Sequence, residues 1–258
     1  MDNQINQFSI QNFKNILKLY RKMYIKNKLV EILYNSPLEV SINMKLRYAP
    51  VVAKLKEIME KKKRLNVLEV GSGSKGITRF FKYPVVGMDI EFQKYKNKYL
   101  KEIISSATRK FPFKDDEFDV VIAVDSIENI PKNKRAKSLK EMLRVSKKYI
   151  IITCPCEITK WDRRVIEKWP KNSATYINIK EHFDCGIPTG TEIEKEFKNC
   201  KVEMEYGLHP LLEYYIKLLE RDIVGKAFSR TILKIFMPFF SMIKGKSRRC
   251  YFIEKISN

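Results

Sequence analysis

The chain has 258 residues, of which 44% are hydrophobic and 31% charged, a composition that excludes a disordered protein and predicts one elaborated domain. The formal net charge is +21, and residues 1–66 alone carry 14 basic and 5 acidic side chains. This excess indicates either an anionic partner, such as nucleic acid or anionic lipid, or a lysine-rich surface that is simply well solvated.

Several protein classes are excluded by what the sequence lacks. The N-terminus has no basic region followed by an apolar core, so we expect no secretory signal. No window of about 18 uncharged apolar residues predicts a membrane span. The five cysteines include no CxxC pair, and Cys154-Pro155-Cys156 has no zinc-like spacing, so neither a disulfide framework nor a metal site is expected. These features predict a cytoplasmic protein with reduced thiols.

Two helices are predicted ahead of the first strand. Apolar side chains recur at helical spacing over residues 8–33, and a second such pattern runs from about Pro50 to Glu60. We therefore expect residues 1–64 to form a helical extension that covers one edge of a sheet or acts as a lid, with packing as the favoured role.

The stretch Val67–Gly76 reads as an apolar strand, a glycine turn and the start of a helix of about ten residues. Its glycines would permit a sharp turn with positive φ and let a ligand lie against the backbone. Their spacing is compatible with a dinucleotide. Glu69 favours S-adenosylmethionine instead, because a carboxylate here would repel a pyrophosphate and attract an ammonium or sulfonium. An ordinary corner without a ligand is the alternative.

The next segments alternate between strand and helix patterns, which predicts a doubly wound sheet. A short strand ends at Asp89, 18 positions after Gly71, close to the spacing expected for a carboxylate that binds a ribose diol. A solvated loop acid is the other interpretation of Asp89. Residues 118–124 form an apolar run typical of a buried parallel strand, and polar groups follow it at 125–129.

Four segments resemble, in order and spacing, the first to fifth strands of class I S-adenosylmethionine-dependent methyltransferases: VLEVGSG, VVGMDIEF, ATRKFPFKDDEFDVVIAVDSIENIP and EMLRVSKKYIIITCP. The resemblance covers about residues 65–156 and is to the small-molecule branch known as methyltransferase domain 11. It implies a Rossmann-like, seven-stranded, mostly parallel α/β sheet with an antiparallel last strand. It also implies S-adenosylmethionine as cofactor. The residues implied to hold it are Glu69, Gly71, Ser72, Gly73, Gly76, Asp89, Ile90, Thr108, Phe113, Asp125 and Ser126.

The chain departs from the family pattern at two places. Ser106–Thr108 contains no carboxylate where many relatives have an acid for the adenine amino group, which leaves Thr108 or a backbone group for that contact. Glu128-Asn129 stands where many relatives have Glu-His. His182, in a segment that resembles a His-x-x-x-Gly-x-Pro motif, is then the candidate general base, with a purely structural histidine as the alternative.

Features of the C-terminal half bear on the molecule that would accept the methyl group. Trp161 and Trp169 would either clamp a substrate or pack a long loop onto the domain. Strands are predicted at 201–206 and 250–256, which completes a methyltransferase domain over residues 65–258 with a helical insertion at about 208–248. The apolar stretch 211–249 has basic flanks, a pattern that fits peripheral membrane contact or a helical cap over the substrate pocket.

The sequence thus predicts a methyltransferase that acts on a small-molecule, lipid or saccharide acceptor by in-line transfer. One alternative is a tRNA or rRNA methyltransferase that uses the basic flanks, although no RNA-binding module is recognisable. Another is a non-catalytic scaffold that binds the cofactor.

Overall fold

The computed structural model describes residues 41–94, 97–220 and 243–256, which form one seven-stranded sheet with six α-helices. The strands are β1 Val67–Val70, β2 Val85–Asp89, β3 Leu100–Ile104, β4 Phe118–Val124, β5 Ser146–Pro155, β6 Cys200–Leu208 and β7 Lys244–Lys255. The helices are α1 Ile42–Lys61, α2 Lys132–Val145, α3 Lys160–Lys168, α4 Ala174–Cys185, α5 Gly190–Glu196 and α6 Pro210–Leu219.

The strand order is β3-β2-β1-β4-β5-β7-β6. Strands β1 to β5 pair in parallel, whereas β7 lies between β5 and β6 and is antiparallel to both. The predicted Rossmann-like fold, with its antiparallel last strand, is therefore confirmed. Because β1 pairs with both β2 and β4, the order of the strands reverses at β1, and ligands of open α/β sheets bind beside the strand ends at such a point.

The core lies on both faces of the sheet, which explains why the central strands read as continuous apolar runs. Along β4, Val120 and Ile122 pack with α1 on one face, while Val121 and Ala123 pack with α2 on the other. Helix α1 contributes fully buried residues such as Leu55 to the first of these clusters. This helix is thus an integral part of the core.

Three elements differ from their predicted bounds. Helix α1 begins at Ile42, where Ser41 caps it by accepting a hydrogen bond from the Met44 amide, so Pro50 lies inside the helix. The predicted ten-residue helix after the glycine turn is a 3₁₀-helix of four residues, Gly76–Arg79. Strand β7 begins at Lys244, because its first residues extend the ladder with β6, and residues 244–248 therefore belong to the sheet and not to the insertion.

Two sequence predictions fall at least partly outside the described residues. The amphipathic helix at 8–33 is one, and most of the apolar insertion is the other, for which the structure describes only α6 and residues 243–249. Among the helices that are described, none combines the length and the apolar character needed to cross a bilayer.

Candidate active site

Gly71 follows directly after β1 and adopts a positive φ of 76°. Its amide donates to the Met88 carbonyl at 2.8 Å, and the Ser126 hydroxyl donates to the Val70 carbonyl at 2.9 Å. A Cβ on Gly71 would overlap the Ser126 side chain. Glycine is therefore required because the ends of β1, β2 and β4 converge at this point.

Gly73 and Asp89 form the open part of the turn. Gly73 has a φ of 51°, and a Cβ added to it would meet nothing within 4 Å. The Asp89 carboxylate accepts hydrogen bonds from the amides of Gly73, at 2.8 Å, and of Ile90, at 2.7 Å. An open backbone beside a carboxylate fits a nucleoside with free hydroxyl groups and disfavours a phosphate.

Glu69 was expected to attract the positive charge of the cofactor, but its side chain faces inward and bonds to the protein itself. Its side chain is 1% exposed, and its two oxygens accept hydrogen bonds from the Tyr48 hydroxyl at 3.0 Å and the Ile77 amide at 2.8 Å. Burial raises the pKa of this carboxyl to about 8. A Cβ on Gly76 would overlap the same carboxyl. Glu69 and Gly76 together hold the 3₁₀-helix and α1 against β1.

The remaining predicted cofactor residues fall into two groups. Ile90 is 68% exposed, and Ile104, which sequence reasoning missed, is 76% exposed at the end of the neighbouring strand β3. Such exposed apolar side chains are suited to contact with a flat ring. By contrast, Phe113 is half-buried with its ring edge against Phe118, and Thr108 is bonded through its amide and hydroxyl to Ser106. Ser72 is buried, and its hydroxyl donates to the Gly73 carbonyl.

Asp125 joins the glycine turn to a second region. It follows β4 directly, with a φ of 50°, and precedes the Ser126 that packs on Gly71. Arg248, from β7, forms an ion pair with one Asp125 oxygen, and Arg47, from α1, lies 2.5 Å from the other. Arg248 had been assigned to the helical insertion. Its place in β7 explains how it reaches the end of β4.

Beyond Asp125 lies a cavity of about 630 Å³ between the start of α1, the loop after β5, and helices α3, α4 and α6. Trp161, Trp169 and Tyr214 all line it and pack together, with ring centroids of the tryptophans 5.2 and 5.5 Å from that of Tyr214. The tryptophans thus both pack the loop region and form part of the cavity wall.

His182 and Glu128 both line this cavity and lie close to each other. His182 lies inside α4 and not in a loop, and its Nε2 is 3.8 Å from Glu128 Oε1. Burial lowers the pKa of His182 to about 4. Glu128 is 1% exposed, and its Oε2 has no hydrogen-bond partner in the part of the chain that the structure describes. Burial and the neighbouring Asp125 raise the pKa of Glu128.

Arg135 is the side chain that brings these two groups together. It is fully buried on α2, and its guanidinium donates to the carbonyls of Ile127, Cys185 and Gly186. The first carbonyl belongs to the 3₁₀-turn after β4, and the others to the end of α4. The importance of Arg135 is not evident in the sequence, where it is one of several basic residues in a basic helix.

The fold and this arrangement of the strand ends define a class I S-adenosylmethionine-dependent methyltransferase. The comparisons with known proteins agree: residues 68–152, a third of the chain, match the family model described as a methyltransferase domain, which supports a methyltransferase with S-adenosylmethionine as its cofactor. No curated protein sequence matches the chain significantly.

Two solved structures share the fold. A Galdieria sulphuraria protein assigned as a sarcosine dimethylglycine methyltransferase is 16% identical, with a TM-score of 0.53, over 84% of this chain and 89% of its own. The CurJ carbon methyltransferase is 13% identical, with a TM-score of 0.54, over 84% of this chain and 56% of its own longer chain. At such low identity these structures establish the fold and leave the acceptor open.

Proposed function

We propose that this enzyme transfers the methyl group of S-adenosylmethionine to a small molecule bound in the 630 Å³ cavity. The observation that carries this proposal is the continuity between the two regions. Asp125 lines the cavity, and the adjacent Ser126 packs on Gly71 in the glycine turn. A methyl donor in the turn and an acceptor in the cavity would therefore meet beside the end of β4.

On the donor side, the Asp89 carboxylate would accept hydrogen bonds from the ribose hydroxyls, and the open backbone of Gly73 would lie against the cofactor. Ile90 and Ile104 would flank the adenine. Gly71, Ser72, Gly76, Glu69 and Ser126 would shape the turn, with Thr108 and Phe113 supporting the adenine side from the adjoining loop. Bound S-adenosylmethionine supplies an electrophilic methyl group, and the protein supplies proximity and orientation.

The dimensions and walls of the cavity favour a small acceptor. Its volume is in the range of small-molecule pockets, and aromatic rings supply an apolar wall. An RNA acceptor is supported only by the overall charge of +21. Carboxylates dominate the cavity wall, which would repel a phosphate backbone. The ionisable lining residues are the acids Asp125, Glu128, Glu157, Asp162, Glu213 and Glu220, the bases Arg47, Lys217 and Arg248, and His182.

The test is to incubate the protein with methyl-tritiated S-adenosylmethionine and a cell extract, and then to separate small-molecule, lipid and RNA fractions. We expect the label in the small-molecule fraction. Label in RNA would support the alternative acceptor, and label in lipid would favour a membrane-borne one. Gly71→Val and Asp89→Ala should each abolish binding of S-adenosylhomocysteine by calorimetry. Normal affinity in both variants would contradict the donor site.

A further inference from the structure

The cations of the cavity wall are already paired. Arg47 and Arg248 both contact Asp125, and Arg248 also lies 3.7 Å from a Glu213 oxygen. Lys217 lies 3.1 Å from the same Glu213 oxygen. An anionic ligand would therefore have to displace an internal carboxylate before it could reach one of these cations.

Glu128 is in the opposite situation. Its carboxyl is buried, lines the cavity, and has one oxygen without a hydrogen-bond partner among the described residues. His182 borders the other oxygen at 3.8 Å, which is longer than a hydrogen bond. Because an unpaired buried polar atom costs free energy, a ligand that presents an N–H donor here would recover that cost.

Building on the methyltransferase activity proposed above, we propose that the acceptor is a primary or secondary amine whose ammonium group binds to Glu128 and loses its proton to that carboxylate. Trp169 and Tyr214 in the same wall favour a cation over a neutral ligand, because aromatic ring faces attract positive charge. Trp161 already has Lys160 and Arg164 over its ring and adds only an apolar surface.

The transfer then balances in two steps. One N–H bond of the ammonium breaks, its proton goes to a Glu128 oxygen, and the nitrogen keeps the electron pair. That pair forms the new C–N bond while the sulfonium C–S bond breaks and its electrons go to sulfur. The products are S-adenosylhomocysteine and the methylated ammonium. Because burial lowers the pKa of His182, this histidine would not take the proton from Glu128.

The surroundings of Glu128 suit a proton acceptor. The ionisable groups that face it are Asp125 just after β4, Cys154 from β5, Arg248 from β7, Arg47 from α1 and His182 from α4. Burial and Asp125 raise the pKa of Glu128, while the two arginines oppose that rise. A carboxyl whose pKa is raised toward neutrality is a stronger base than an ordinary glutamate. When the ammonium binds, any proton on Glu128 leaves to solvent, and the resulting carboxylate then accepts the ammonium proton.

The two tryptophans provide the measurement, since they are the only ones in the chain and both line the cavity. Their fluorescence should be titrated in the full chain, saturated with S-adenosylhomocysteine, at about pH 7.5. The ligands are 2-phenylethylamine, 2-phenylethanol and phenylacetate, which share a skeleton and differ in the terminal group. We expect the amine to bind at least about tenfold more tightly than either analogue.

Two variants locate the effect. Glu128→Gln keeps the shape but cannot ionise, and it should remove the preference for the amine while the affinity for the alcohol stays within about twofold. Glu157→Gln is the matched control, because Glu157 is an exposed acid on the same wall. It should retain the preference.

Absence of a preference for the amine, including equal failure of all three ligands, would overturn the assignment. So would an unchanged preference in Glu128→Gln, or its loss in Glu157→Gln. Calorimetry with S-adenosylhomocysteine separates this outcome from failure of the proposed function. Intact binding without an amine preference rejects only the amine, whereas loss of binding in the natural chain rejects the methyltransferase site itself.

Discussion

The donor and acceptor sides of this enzyme are built in different ways. The donor side is local, with its turn and its carboxylate between residues 69 and 89, and it depends on backbone conformations such as the positive φ of Gly71. The acceptor side assembles side chains from distant segments, from Arg47 in α1 to Arg248 in β7. In the function proposed here, recognition of the methyl donor follows from the shape of one turn, whereas choice of the acceptor depends on packing across the whole domain.

Removing the central side chain of the acceptor side should have the largest effect. Arg135→Ala leaves the carbonyls at the ends of α4 and the 3₁₀-turn without their donor, and we expect a loss of roughly 3–5 kcal/mol in the free energy of unfolding. Urea denaturation measures this change. The affinity for S-adenosylhomocysteine, measured by calorimetry on the folded variant, should fall by less than about threefold, because the glycine turn does not depend on Arg135.

Lys140→Ala on the same helix is the control, since Lys140 is 70% exposed and its ion pair within the described part of the chain is a 3.8 Å contact with Glu196. It should cost less than about 1 kcal/mol. A loss of less than about 1 kcal/mol in Arg135→Ala would show that the acceptor side does not depend on contacts between distant segments.

A smaller effect is expected from Gly73→Ala, which tests whether the open backbone of the turn contacts the cofactor. An alanine in the left-handed conformation should lose about 1–2 kcal/mol of stability. No further steric cost is expected, because a Cβ meets no protein atom there. Affinity for S-adenosylhomocysteine should fall at least about tenfold, because the methyl group occupies space that the ligand needs.

Gly186→Ala is the comparison, because Gly186 also has a positive φ, of 69°, and open surroundings, but lies at the end of α4. Its ψ of 140° places it outside the left-handed helical region, so an alanine there should be more strained than in Gly73→Ala, with unchanged affinity for S-adenosylhomocysteine. Equal affinities in the two alanine variants would mean that the cofactor does not lie against Gly73.

The last prediction concerns the slope of stability against pH. The pKa of Glu69 is raised to about 8 in the folded protein, so between its unfolded pKa and about pH 8 the native state retains a proton that the unfolded state has lost. The contribution of Glu69 to the free energy of unfolding is therefore greatest below its unfolded pKa. It falls as the pH rises toward about 8, by at most about 1.4 kcal/mol per pH unit.

Glu69→Gln should reduce this slope, because an amide can still bond to the Ile77 amide and the Tyr48 hydroxyl but cannot ionise. Urea denaturation at several pH values between 5 and 8 provides the comparison. Parallel stability curves for the two proteins would show that Glu69 titrates normally.

Features set by local sequence were predictable, whereas features set by contacts between distant segments were not. The doubly wound sheet was predictable because the central strands are buried on both faces and therefore read as apolar runs, as at 118–124. Strand β3 has only one buried residue, Leu100, so its sequence pattern is too weak to predict the strand or the exposed Ile104 at its end. The early start of β7 was hidden because its first residues are mainly charged, and pairing with β6 determines it.

The sequence by itself determined the glycine turn, the Asp89 that follows it and the alternation of strands and helices, because backbone conformation and burial restrict residue types at short spacing. Tertiary structure decided that Glu69 faces inward to Tyr48, that Arg248 reaches Asp125, and that Arg135 brings His182 beside Glu128. These contacts join residues far apart in the chain. Their partners are selected by packing and by the cost of burying unpaired charge, neither of which leaves a local pattern.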